Sequence, residues 1–338
     1  MGEGTRVSGT TALAGVLGDP VRHSLSPAMH NAALAELGLD WIYLALPVAA
    51  AELAAALRGL EALDCRGLNV TLPHKQAAAA LAAELTPLAR RLGAVNTLVR
   101  RPAGGGGGGW LGSNTDVEGF LAPLREARGE TGWRRGRALV LGCGGSARAV
   151  LAGLAELGLE RIGVAGRRAA ALEAFVGDCR AWAPGLAGLA WGAEAEGESG
   201  GTGSLGEALA ACDLVVNTTP VGMAGAAGGT AEAKNATEAK NAAEACPLTE
   251  AELDRLPAGA TVYDLIYTPR PTPLLRRAAA RGCAVLDGLE MLVQQGAASL
   301  RLWSGRADVP VDAMRRAALR ELDRRQGSAA AGSGYQAR

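Results

Sequence analysis

Ala138-Leu139-Val140-Leu141-Gly142-Cys143-Gly144-Gly145-Ser146-Ala147-Arg148 reads as a short buried strand, a glycine turn and the opening of an Ala/Leu-rich helix, in that order. Gly142 permits the tight turn, while Gly144 and Gly145 let backbone N–H groups approach a pyrophosphate at the positive end of the helix dipole. The third small position is Ala147, which the pattern tolerates. Glycine turns are common in ordinary loops. It is the placement between strand and helix that favours a dinucleotide site here.

Working downstream, the ribose end of such a cofactor should meet the loop after the next strand, Gly163-Val164-Ala165-Gly166-Arg167-Arg168. An acidic residue there would bind a 2′-hydroxyl; Arg167 and Arg168 instead offer guanidinium forks suited to a 2′-phosphate. NADP is therefore expected rather than NAD, unless both arginines are only solvated surface charges. Asp213-Leu214-Val215-Val216-Asn217 reads as another strand, ending in the polar Asn217-Thr218-Thr219-Pro220. Loops at the carboxyl ends of parallel strands line the cofactor crevice.

Working upstream, apolar segments alternate with Ala/Leu-rich helical stretches, the pattern of an α/β fold with parallel sheets. A first β-α-β-α-β unit is expected from strands at Ala14–Leu17, Tyr43–Pro47 and Gly67–Val70 and helices at Pro27–Leu37 and Ala51–Leu60. The six glycines Gly104 to Gly109 suit a hairpin tip, since no helix follows them at once. A chain of 338 residues favours two domains. We expect a substrate-binding and catalytic domain over 11–122 and a Rossmann-like cofactor domain over 123–286. Helices over 287–324 should return to the first domain, and an unstructured tail should occupy 325–338. The Ala/Gly/Lys/Glu-rich segment 224–245 reads as a surface insertion without assigned function.

Lys plus Arg equal Asp plus Glu at 34 each, so no global field favours nucleic acid or an anionic membrane. Six cysteines more than 30 residues apart and three histidines give no zinc pattern and fit reduced thiols, so no metal is expected. No apolar run approaches the roughly 20 residues of a membrane span. The N-terminus lacks a signal-peptide core. A cytoplasmic enzyme acting on a small molecule is expected; assembly is open, a homodimer being one option.

The N-terminal half gathers polar residues at strand ends. Ser24 and Ser26 precede a helix opened by Pro27, where they could cap it or present hydroxyls to a carboxylate. Asn69-Val70-Thr71-Leu72-Pro73-His74-Lys75 puts amide, hydroxyl and ammonium in one loop, and Asn96-Thr97 and Asn114-Thr115-Asp116 add more. Such groups suit a polyol substrate, which needs paired donors and acceptors.

These segments, in order, carry a resemblance. SLSP (Ser24 to Pro27), NVTLPHK (Asn69 to Lys75), GAVNT (Gly93 to Thr97), NTD (Asn114 to Asp116), GCGGSAR (Gly142 to Arg148), NTTPVGM (Asn217 to Met223) and DGLEMLVQQ (Asp287 to Gln295) resemble the motif set of the shikimate dehydrogenase family, over about residues 12 to 305. The resemblance implies NADPH-dependent, reversible reduction of 3-dehydroshikimate to shikimate on the route to chorismate and aromatic amino acids. It implies that Ser24 and Ser26 bind the substrate carboxylate with Tyr267 nearby. Thr71, Asn96 and Gln295 would surround the hydroxyls with Lys75 and Asp116, which act as the catalytic pair. For the cofactor it implies Gly142, Gly144, Gly145, Ser146, Ala147, Arg167, Arg168, Thr218, Ile266 and Gly288. One departure is Gly166 where the family's cofactor loop carries Asn.

Reducing a ring ketone needs a proton donor within reach of the oxygen that becomes negative, and Lys75 is the candidate. The reverse reaction would use neutral Lys75 as base and run faster at alkaline pH. A quinate/shikimate dehydrogenase with relaxed cofactor use is the competing enzyme, disfavoured by both serines and by the arginine pair. A non-catalytic nucleotide-binding regulator on the same fold would be expected to lack Lys75 or Asp116, and both are present.

Overall fold

The computed structural model describes residues 7–101, 108–129, 131–183, 185–192, 204–224, 226–227, 231–232, 241 and 243–333. The chain forms two compact units, Met1–Gly119 with Val293–Arg338, and Phe120–Leu292. Both divisions fall inside continuous helices, Asp116–Arg128 and Gly288–Ser304, rather than in linkers.

The first unit holds a six-stranded sheet of β1 (Ala12–Gly18), β2 (Trp41–Pro47), β3 (Gly67–Val70), β4 (Glu84–Leu85), β5 (Thr97–Arg100) and β6 (Trp110–Ser113), in the order β2-β1-β3-β5-β6-β4. Strands β2, β1 and β3 run parallel, joined through the helices Ser26–Glu36 and Leu53–Ala62, which is the alternation implied by the sequence pattern. Leu17, Leu68 and Leu98 are fully buried and pack with Leu53, Leu57 and Trp110. Strand β5 is antiparallel to both β3 and β6. Residues 102–107, most of the glycine run between them, lie outside the described residues, as does most of segment 224–245.

The second unit holds the parallel strands β7 (Arg137–Leu141), β8 (Arg161–Gly166), β9 (Leu186–Ala190), β10 (Leu214–Asn217), β13 (Thr261–Asp264) and β14 (Ala284–Leu286), in the order β14-β13-β10-β7-β8-β9. A separate two-stranded ribbon is formed by β11 (Ala226–Ala227) and β12 (Ala231–Glu232). Runs such as Leu139-Val140-Leu141 and Leu214-Val215-Val216 are fully buried, as strands covered on both faces require. The first strand, β7, lies between β8 and β10, so the strand order reverses direction between β7 and β10. In open α/β sheets, ligands bind outside the carboxyl ends at that point.

The last helix, Val311–Ser333, runs past residue 325, where the sequence reading begins the tail. Alanine-rich sequence such as Ala329-Ala330-Ala331 has high helix propensity and continues the helix already begun.

Helix Ser26–Glu36 buries Met29, Ala33 and Leu34, and also His30. The His30 ring stacks on Tyr43 at 4.2 Å between centroids and lies 5.4 Å from Trp303. Gly67 is what admits Trp303, because a Cβ there would sit 2.2 Å from the indole. Neither His30 ring nitrogen has a partner among the described residues, and burial pushes its pKa down to about 3. A base depressed in the folded state keeps its full stability contribution above its unfolded value, about 6.5, and loses it as pH falls toward the folded value. At about pH 5 the loss is about 2 kcal/mol. In urea unfolding, the parent chain should lose about 2 kcal/mol more than His30→Leu between about pH 7.5 and pH 5, the difference removing groups such as Asp264 that titrate in both. An equal loss in both would place the acid sensitivity elsewhere.

Candidate active site

Lys75 opens the short helix Lys75–Leu81. An ammonium on a helix's first turn faces the positive end of the dipole, an unfavourable place that needs a compensating anion. Asp116 supplies it: Lys75 Nζ donates to Asp116 Oδ2 at 2.6 Å, with both side chains largely buried. Asp116 in turn begins the helix Asp116–Arg128, where the dipole favours a carboxylate, and its N–H donates to Asn114 Oδ1 at 3.0 Å.

The other carboxylate oxygen is held by Asn96, whose Nδ2 lies 2.8 Å from Asp116 Oδ1 and 3.3 Å from Gln295 Oε1. Asn96 Oδ1 accepts the Thr115 N–H at 2.7 Å. The backbone N–H of Val95 donates to the Lys75 carbonyl at 2.9 Å, which ties β5's approach to the lysine's own helix. The structure therefore brings together four residues singled out in the sequence: Lys75, Asp116, Asn96 and Gln295. Beneath them runs a buried network in which Asn69, Thr97 and Thr115, read from the sequence as suited to a polyol, bond to one another and to Ser299, which the sequence did not single out. Ser299 donates to the Gln295 carbonyl, accepts from Asn69 Nδ2 at 2.9 Å, and lies 2.8 and 3.1 Å from the hydroxyls of Thr97 and Thr115. Asn69 Oδ1 accepts from the Tyr43 hydroxyl at 2.7 Å.

Thr71 lies in the loop between β3 and Lys75, its N–H donating to the Leu17 carbonyl and its own carbonyl accepting from His74. Ser24 and Ser26 sit on the turn into helix Ser26–Glu36, where Ser24 Oγ accepts from the Ser26 N–H at 3.1 Å. That is a helix-start hydrogen bond, and it leaves the Ser24 hydroxyl proton available to another acceptor. The Ser26 side chain is hydrogen-bonded to Tyr43, whose hydroxyl donates to Asn69 of the network beneath Lys75.

The remaining residues lie in the second unit. Gly142 adopts φ +100°, and a Cβ there would lie 2.8 Å from Thr218 Oγ1. Thr218 donates to the Leu141 carbonyl, tying β10's end to β7's. Gly144 precedes the helix Gly145–Glu156 with no side-chain cap, so the first-turn N–H groups are not taken by a side chain. A Cβ on Gly144 or Gly145 would meet nothing within 4 Å. An open backbone cradle at a helix N-terminus, at the strand-order reversal, fits a dinucleotide pyrophosphate. Ser146 and Ala147 continue that first turn. Arg167 and Arg168 are exposed at the carboxyl end of β8, and neither pairs with a carboxylate among the described residues.

Ile266 and Tyr267 lie in the loop after β13. That loop is anchored by Asp264, a residue the sequence reading left without a role. Its carboxylate accepts from Asn217 Nδ2 at 2.9 Å, the Ile266 N–H at 3.2 Å and the Thr272 hydroxyl at 2.7 Å. Burial outweighs these bonds and pushes its pKa up to about 6. Arg270 pairs with Asp287 at 2.6 Å, and Gly288 donates to the Ile266 carbonyl. Among the described residues no three His, Cys, Asp or Glu side chains gather as a metal site, and no helix is long and apolar enough to cross a membrane.

The second unit's parallel sheet in the 3-2-1-4-5-6 order with its glycine cradle, and the first unit's buried lysine–carboxylate pair, each fit a dinucleotide-dependent oxidoreductase. The chain belongs to the shikimate dehydrogenase family. Residues 16–98 match the shikimate dehydrogenase substrate-binding domain, and 288–319 match the shikimate 5′-dehydrogenase C-terminal domain. It is 47% identical over 318 residues to a shikimate dehydrogenase (NADP(+)) of Synechococcus sp. (strain JA-3-3Ab), covering 94% of this chain and 96% of that one. Among solved structures, the shikimate 5-dehydrogenase of Thermus thermophilus in complex with NADP(H) and shikimate is similar at TM-score 0.73 and 34% identity, covering 92% of this chain and 99% of that one. A quinate dehydrogenase of Corynebacterium glutamicum in complex with NAD has TM-score 0.73 at 28% identity, covering 91% and 99%.

The glycines separate into two kinds with opposite expected responses. Gly288→Ala would set a Cβ 1.9 Å from the Leu265 carbonyl oxygen and should cost ~2 kcal/mol or more. Gly145→Ala, with open space around it and alanine's better helix propensity, should leave stability unchanged or slightly higher. Thermal unfolding of the two variants checks the contrast, and a Gly288→Ala protein as stable as the parent would contradict it.

Proposed function

We propose that this chain catalyses the NADP-dependent, reversible interconversion of 3-dehydroshikimate and shikimate in a reducing, cytoplasmic compartment. The observation that carries it is the buried Lys75–Asp116 pair, held at 2.6 Å and fixed from behind by Asn96, in a chain of this family. The thiols of Cys65, Cys143, Cys179, Cys212, Cys246 and Cys283 are all unpaired, which supports the compartment.

Gly142, Gly144, Gly145, Ser146 and Ala147 would hold the pyrophosphate, Arg167 and Arg168 the 2′-phosphate, and Thr218, Ile266 and Gly288 the remainder of the dinucleotide. When bound, NADPH supplies the hydride that the ketone carbon receives. The protein's own task is the oxygen. As charge develops there, the Lys75 ammonium, with only one of its three N–H groups engaged by Asp116, stabilises it and transfers a proton. The product is an alcohol, with Lys75 left as a neutral amine and Asp116 still a carboxylate. In the reverse direction that amine takes the hydroxyl proton. Asp116 orients the lysine and, with Asn96, Gln295 and Thr71, meets the ring hydroxyls. Ser24 and Ser26 receive the substrate carboxylate, with Tyr267 nearby. The second serine's side chain leaves less room for the extra hydroxyl of quinate, and the arginine pair favours NADP over the NAD bound by the quinate dehydrogenase relative.

Two tests follow from these roles. Lys75→Ala should lower kcat by roughly 10²- to 10⁴-fold with a much smaller change in KM, because the interaction is made mainly in the transition state. A folded Lys75→Ala enzyme of near-normal kcat would remove the lysine from the chemistry. Replacing Arg167 and Arg168 together by Ala should raise KM for NADP by about tenfold or more, the scale of one charged hydrogen bond, and change that for NAD little. Equal effects on both cofactors, measured by absorbance at saturating shikimate, would reassign the pair to the surface.

A further inference from the structure

The C-terminal helix Val311–Ser333 carries one side chain that reaches the turn bearing the two serines. Arg325 Nη1 donates to the His23 carbonyl at 2.7 Å, and its Nη2 donates to the Ser24 carbonyl at 3.3 Å. Its Nε donates to Glu321 Oε1 at 2.7 Å, one helical turn back. The guanidiniums of Arg324 and Arg325 hold the Glu321 carboxyl down at about 2, so it stays ionised and keeps the fork aimed.

The two carbonyls belong to the peptide groups on either side of Ser24. Holding both planes fixes the backbone dihedrals at Ser24, and with them the direction of its Cα–Cβ bond. Locally, the Ser24 N–H donates to the Val21 carbonyl, Ser24 Oγ accepts from the Ser26 N–H, and the Ser26 side chain is hydrogen-bonded to Tyr43. Arg22 and His23 are exposed, while Val21 and Leu25 on either side are buried and anchor the turn's ends. A guanidinium suits the task because its planar donors are set in a fixed fork, whereas an ammonium is a point charge.

We infer that Arg325, oriented by Glu321, is a positioning residue that aims the Ser24 hydroxyl at the substrate carboxylate. This rests on the assignment of Ser24 given above. Arg325 itself touches neither substrate nor cofactor in this account. Its loss should therefore loosen substrate binding and leave the chemical step intact.

The test is a thermodynamic cycle on the full chain with Arg325→Ala, Arg325→Lys, Ser24→Ala/Ser26→Ala and the combined variant, each checked for folding by circular dichroism. Shikimate Kd is read by calorimetry, and kcat and KM for each substrate by absorbance. Arg325→Ala should raise shikimate Kd and KM by about 5- to 10-fold, the scale of a lost charge-assisted hydrogen bond, with kcat and KM for NADP within about twofold. Arg325→Lys should fall between, and it carries the test alone if the alanine variant does not fold. In the serine-less background Arg325→Ala should add less than about twofold, since it acts through groups no longer there. The inference fails if the serine variant weakens binding while both Arg325 variants bind normally, the result a purely structural helix anchor would give. It fails equally if Arg325→Ala costs the same factor in both backgrounds. Normal shikimate binding by the serine variant would overturn the serine assignment itself, and the inference with it.

Discussion

The ion pair between Lys75 and Asp116 is the interaction around which the first unit is arranged. Taking both charges largely out of water is costly, and removing either partner would leave the other buried and uncompensated. The surroundings offset that cost in identifiable ways. Asp116 sits where a helix dipole favours a carboxylate, Asn96 satisfies its second oxygen, and Asn114 receives its N–H. Lys75 sits against its own helix dipole, and its ammonium donates to Asp116. A local rule is broken at the residue proposed to do chemistry, and the compensation lies on other elements.

The layer beneath explains how the pair keeps its geometry. Asn69, Thr97, Thr115 and Ser299 are all buried and joined to one another, so the side chains that meet the pair are held by groups that are themselves satisfied. Such networks specify one arrangement when complete and are costly when broken. The second unit uses the same device at its strand ends. Thr218 ties β10 to β7, Asn217 and Asp264 tie β10 to β13, and Thr272 and the Ile266 N–H secure the loop that follows. The loops assigned to the cofactor are thus anchored to one rigid sheet edge, which suits recognition by backbone N–H groups.

Much of this was legible in the sequence, and the reasons are physical. Buried parallel strands must be continuously apolar, so Leu139–Leu141 and Leu214–Val216 announced themselves. The turn at Gly142 needs positive φ, which only glycine takes freely, so the cradle could be read from residue type. Lys75, Asp116 and Asn96 were found because each stands in a compact polar motif. What stayed hidden has no local signature. Ser299 lies in the apolar stretch Gly296-Ala297-Ala298-Ser299-Leu300, and only the fold brings it within reach of Asn69, 230 residues away in sequence. Asp264 reads as the polar end of a strand until its three donors are seen. Arg325 sits in charged sequence that composition assigns to a tail, and its role depends on partners about 300 residues earlier. Long-range partnership leaves no periodicity to read.

The proposed action of Lys75 on the oxygen as the hydride arrives is read most directly in the single-turnover rate of NADPH oxidation by Lys75→Met, rapidly mixed with 3-dehydroshikimate and repeated with cofactor deuterated at the transferred position. Methionine keeps the chain length and removes the charge. With Lys75 acting in this way, hydride transfer slows by about 10²-fold or more in the variant and the primary isotope effect is fully expressed, because chemistry has become rate-limiting. A single-turnover rate equal to that of the unaltered enzyme, with the same isotope effect, would contradict it.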